Sequence, residues 1–143
     1  SSAPFGYGEA MSVRAIQTFL ASVFFVLGGW CLISPSSVMA LCLTPAFQSD
    51  HPVAPILIGA FGAQALIAGL FAAFSRFTQA TFLAYGLALL PFFVFDYWFF
   101  AVVPMLTPIG MLDAVGNVIM LALCVIGWRK AGEQRSSSVH AEA

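Results

Sequence analysis

Four apolar stretches dominate this chain and leave it few ways to fold. They cover about 15–33, 53–74, 77–103 and 109–128. Each is long enough to cross a hydrocarbon core of about 30 Å, which takes about 20 helical residues. The chain is 61% hydrophobic and 8% charged, against about 45–50% and about 25% in soluble domains. A soluble domain of 143 residues has no interior large enough to hide that surface. The reading is an all-α integral membrane four-helix bundle, multi-pass, with the lipid bilayer as its solvent.

The spans form one domain over 15–128, flanked by an N-terminal tail (1–14) and a polar C-terminal tail (129–143). Three consecutive serines mark the polar part of the C-terminal tail, 132–143, as disordered. Residues 1–10 lack the apolar core of a signal peptide; Met11 is a candidate start, with Ser1 as a processed end the alternative. The first span stops at Ser34-Pro35, since proline does not continue a helix cleanly. Residues 38–43 are expected to form a short interfacial turn and 44–52 a loop. The third span, at 1.5 Å per residue, would reach about 40 Å, so it must tilt, kink at Pro91, or run its ends into the interface. The fourth carries Asp113 and Asn117. An aspartate at mid-helix costs about 2.5–3.5 kcal/mol on insertion, less near the end, and the aliphatic run that follows offsets it.

Charge sets the orientation. Arg14, Arg76, Arg129, Lys130 and Arg135 all fall on one side of the spans, and the loops after the first and third have no basic residue. By the positive-inside rule both termini face the cytoplasm, or the matrix or stroma of an organelle. Trp30, Tyr97 and Trp98 lie towards the opposite face, and Trp128 at the inner one. Short connections between alternating crossings favour an up-down-up-down order.

Projected at 100° per residue, small and polar positions form one stripe per span. These are Thr18, Ser22 and Gly29; Ala60, Gln64 and Ala68; Thr78, Tyr85 and Asp96; and Asp113, Asn117 and Cys124. Such stripes suit a bundle interior, because small residues permit close approach and polar ones bond across helices. Counted from the outer face, Asp96 and Asn117 lie at roughly 12–14 Å and Gln64 at about 16–17 Å. Asp113 sits one turn shallower on the face of Asn117. Three helices are thus expected to bring their polar groups to one layer.

Asp96 stands inside the aromatic run from Pro91 to Val103, and no lysine or arginine lies within any span. A carboxyl in low dielectric without a partner charge favours its neutral form, so Asp96 is expected to carry its proton or to sit in a wet cavity. A neutral acid beside a carboxamide can donate to a carbonyl, hydroxyl or epoxide oxygen. Asp113, nearer water, would serve as base, and two carboxyls in unlike surroundings form an acid/base pattern. The candidate catalytic residues are therefore Asp96 and Asp113. Gln64, Asn117, Tyr85, Tyr97 and Trp98 are the candidate ligand contacts, and the ligand is a lipophilic small molecule converted by isomerisation, hydrolysis or cyclisation. The competing reading is interhelical glue, worth about 0.6 kcal/mol on average, with Asp113 a first-turn acid at its helix dipole. The aromatic run would then be lipid-facing and core surface, and the protein a non-catalytic accessory or scaffold subunit with a membrane-protein partner or a homo-oligomer.

Other classes fall on residue grounds. A net charge of -1 argues against nucleic acid, which needs a basic face. His51 and His140 both lie outside the spans, so the chain cannot clamp a haem between two histidines within the bilayer. The absence of lysine from the spans excludes a retinal Schiff base. Asp50-His51 offers too few ligands for zinc. Cys31, Cys42 and Cys124 form neither a CxxC nor a metal spacing; they read as free thiols acting as small apolar groups, with a Cys31–Cys42 disulfide the alternative. Gly59, Gly62 and Gly69 belong to a helix, not a phosphate loop. The two halves show no internal repeat, which weighs against a transporter. No cofactor or metal is expected.

An opening helix with Leu27-Gly28-Gly29 runs into Ile33-Ser34-Pro35, and a glycine-rich second helix ends at an arginine (Gly69 to Arg76). In this layout the chain resembles small DoxX-like four-helix membrane proteins over most of 14–130. The resemblance implies the fold, and a role as an accessory subunit or redox-system partner. Asp96 and the segment from Leu112 to Asn117 lie outside the likeness.

Overall fold

The computed structural model describes residues 12–141, and the expectations for the first eleven residues lie outside them. The fold is all-α: α1 (Val13–Ile33), α2 (Pro35–Cys42), α3 (Val53–Phe74), α4 (Gln79–Tyr97) and α5 (Leu112–Ala141). Four segments are long and apolar enough to cross a membrane: Val13–Ile33, Val53–Phe74, Gln79–Val102 and Leu112–Gln134. In lipid a helix satisfies its own backbone hydrogen bonds, which a lone strand cannot do. Among the described residues the one β-type pairing is an isolated bridge between Leu43 and Leu106.

Local chemistry sets the helix ends. The Ser12 side chain accepts from the Ala15 N–H at 3.1 Å and starts α1. Pro35 ends it and opens α2 as a first-turn proline. Residues 38–43, expected as a turn, therefore lie largely within an eight-residue helix. Thr78 and Thr81 form a capping box at the start of α4. Pro91 sits inside α4 without ending it, and Trp98–Val102 closes the segment as a π-helical turn. The fourth span starts at Leu112, and its helix runs on to Ala141, so the tail read as disordered is helical there. No proline interrupts residues 129–141, and Arg129, Lys130, Ala131, Glu133 and Gln134 are good helix formers.

The long helices pack as antiparallel pairs. Gly28 of α1 meets Gly62 of α3, and Gly69 meets Phe24 and Phe25. A β-carbon on Gly62 would lie 2.6 Å from the Gly28 carbonyl oxygen and from the Leu32 nitrogen, so the two backbones touch. On α4 and α5, Phe82 faces Gly127 and Gly86 faces Cys124. Buried Ile16, Leu20, Ala72, Phe82, Met120 and Cys124 draw one core from all four long helices. Phe77 packs edge-on to Phe82 at 5.0 Å.

The projected stripes are only partly right. Thr18 and Ser22 are exposed and donate to the carbonyls of Arg14 and Thr18 on their own helix. Among the described residues nothing lies within 4 Å of a β-carbon placed on Gly29. The inward side of α1 carries Ile16, Gln17, Leu20, Ala21, Gly28 and Cys31 instead. The hydroxyls of Thr18 and Ser22 are satisfied by carbonyls of their own helix and need no partner inside the bundle, so the glycine contacts decide the rotation.

Candidate functional site

The polar centre lies where α4 meets α5, near the end of the helices away from the basic residues. Asp96 and Asn117 are 7% and 2% exposed, buried among apolar side chains. Asn117 Nδ2 donates to Asp96 Oδ2 at 3.3 Å and to Asp113 Oδ2 at 3.0 Å. The second contact joins residues one turn apart on α5, so helical spacing supplies it. The first depends on tertiary packing. One carboxamide thus ties together two carboxyl groups from two helices, and Asp113 is the less buried of them.

Two connections cover this end. The Thr44 N–H donates to the Met105 carbonyl at 2.8 Å, and the Thr107 N–H to the Cys42 carbonyl at 2.9 Å. Thr107 Oγ1 donates to the Leu41 carbonyl at 2.5 Å, and Thr44 Oγ1 to that of Pro104 at 3.0 Å. Gly110 approaches so closely that a β-carbon there would lie 2.6 Å from the Cys42 carbonyl oxygen. The segment after α2 and the segment before α5 are therefore stitched together next to the start of α5, whose first turn carries Asp113. Burial, and after it the charge of Asp113, push the Cys42 thiol up from its ordinary range. Sequence spacing alone does not point to Cys42 here, because a long-range backbone pairing with Thr107 brings it within electrostatic reach of Asp113. All three cysteines are free thiols, and no group of three or more metal-ligating side chains is present among the described residues.

Of the seven sequence-derived candidates, Asp96, Asn117 and Asp113 come together. Gln64 does not: it is exposed on α3 and makes no side-chain hydrogen bond among the described residues. It has the right depth and the wrong azimuth, since α1 covers the opposite side of α3 at Gly62 and Gly69. Tyr97 and Trp98, 67% and 51% exposed, point outward. Tyr85 donates to the Ala68 carbonyl at 3.3 Å and packs on Phe77. It lies eleven residues from Asp96 along α4, about 16 Å away.

The buried amide that projection missed is Gln17. Its Nε2 donates to the carbonyls of Ala72 and Ser75, both at 2.6 Å, satisfying acceptors that the end of α3 leaves open. A cavity of about 340 Å³ opens between α4 and α5, lined by Phe82, Gly86, Leu90, Leu121, Cys124 and Trp128 among others. It is apolar and includes none of the polar trio. No protein-family model matches the chain, and comparison with curated proteins and with solved structures finds no match.

Proposed function

We propose that this chain is a multi-pass membrane protein, a four-helix bundle with both termini on the cytoplasmic (or matrix or stromal) side, whose polar centre binds a lipophilic small molecule. The observation that carries this reading is the joining of Asp96 and Asp113 through Asn117 at the end of the spans away from their basic residues, Arg14, Arg129 and Lys130. Ionisable groups in such a setting are costly and mark ligand or proton sites. Asp96, the more enclosed, holds a proton and donates it to an oxygen of the ligand. Asn117 orients that acid. Asp113, in the first turn of α5, accepts a proton, and isomerisation, hydrolysis or cyclisation of the ligand follows from this division of labour.

A second reading, a non-catalytic accessory or scaffold subunit, is favoured by the closure of the trio on itself. It is also what the DoxX-like layout implies. Native mass spectrometry of Asp96→Asn purified with a lipid extract separates the two. The pocket reading expects an intact, helical protein that no longer retains a small molecule held by the unsubstituted chain. Identical ligand retention in the two proteins, or none in either, leaves the scaffold reading.

A further inference from the structure

We infer that two copies of this chain pair through the outer face of α3, with the Gln64 amides bonded to one another across the contact. Gln64 stands at the middle of the 22-residue helix, exposed and without a side-chain hydrogen-bond partner among the described residues. Acyl chains offer an amide nothing to bond with, so this group requires a partner in the membrane.

The surface around it has the spacing of a helix–helix seam. Val53, Leu57, Ala60, Gln64, Ile67 and Phe71 follow one another in steps of four, three, four, three and four. All six are exposed. Alternating steps of this kind form the a/d stripe of a left-handed helix pair, the commoner crossing in membranes. Ala60, one turn from Gln64, lets backbones approach.

The amide identifies the partner as a second copy. Copies of one chain inserted in the same sense carry Gln64 at the same depth. Each carboxamide has both a donor and an acceptor, so the two satisfy each other reciprocally. A polar residue in such a seam also sets its register. The inference rests on α3 crossing the membrane and is independent of the Asp96 trio; resistance of the protein to carbonate extraction checks that crossing separately.

The test is energy transfer between donor- and acceptor-labelled full-length chains reconstituted together in phosphatidylcholine vesicles over a range of protein-to-lipid ratios. Transfer above random co-localisation is expected for the unsubstituted chain. Gln64→Leu should weaken association by about threefold to twentyfold, the span of measured interhelical hydrogen bonds in membranes. Ala60→Phe should weaken it at least as much, and Leu83→Ala, on α4, should leave it unchanged. Gln64→Asn should recover part of the loss. Positions 60 and 64 are exposed in the single chain, and circular dichroism confirms that each variant keeps its helices; should one lose them, the other decides. Transfer at the random level in the unsubstituted chain, or association indifferent to both substitutions, overturns the inference.

Discussion

Replacing Gly62 with alanine tests the contact that sets α1 against α3. The added β-carbon would meet the Gly28 carbonyl oxygen and the Leu32 nitrogen at 2.6 Å and the Cys31 β-carbon at 2.8 Å. Two of these neighbours are backbone, which cannot rotate aside. Relief to an ordinary separation of about 3.5 Å requires the helices to part by about 0.9 Å. A gap of that size forfeits about a quarter to a half of the dispersion well at each contact along the crossing, so the expected steric cost is about 1–3 kcal/mol. Alanine also favours the helix itself by about 0.8–1 kcal/mol over glycine, and a control must remove that gain. Gly59→Ala supplies it, because nothing lies within 4 Å of a β-carbon there. Unfolding in mixed micelles by stepwise addition of dodecyl sulfate, followed by circular dichroism, should place Gly62→Ala about 1–3 kcal/mol below Gly59→Ala. Gly28→Ala, whose β-carbon would lie 2.8 Å from the Gly62 carbonyl oxygen, should behave alike. The double variant should cost less than the sum, since one separation relieves both clashes. Equal stabilities for Gly62→Ala and Gly59→Ala would refute the close crossing.

Three further outcomes follow from the same geometry. Asn117→Leu removes the shared donor of two carboxyl groups and should lower stability by about 1–3 kcal/mol in the same unfolding assay. Gln17→Leu leaves the carbonyls of Ala72 and Ser75 without their side-chain donor and should cost a similar amount, about 1–3 kcal/mol, with hydrogen exchange rising first at the end of α3. At Cys42 the thiol is pushed up by burial and then by Asp113, so less thiolate is present at a given pH. Its maleimide reaction at pH 8 should be slower than that of free cysteine, and Asp113→Asn, by removing the negative charge, should speed it; a rate unmoved by that change would break the link.

What the sequence shows by itself follows local rules. Val53–Phe74 matches the expected second span because apolar length and flanking Pro52 and Ser75 act within the segment itself. The Asp113–Asn117 contact was equally legible, being one helical turn. By position in the sequence alone, every lysine and arginine falls at one end of the expected spans, and Asp96 and Asp113 towards the other. Depth along a helix is a count of residues, and counting needs no partner.

Azimuth is different, and only the tertiary structure decided it. Gln17 and Gln64 are both amides in apolar helices, yet one is buried against the end of α3 and the other faces out. On α3, which carries Gln64, no apolar face is marked off from a polar one, and on α1 the outward side is the one with Thr18 and Ser22, not the one with Gln17. Rotation is set by where backbones can touch, at Gly28 with Gly62 and at Phe82 with Gly127. Those are pairwise facts about two surfaces, and neither surface carries them by itself.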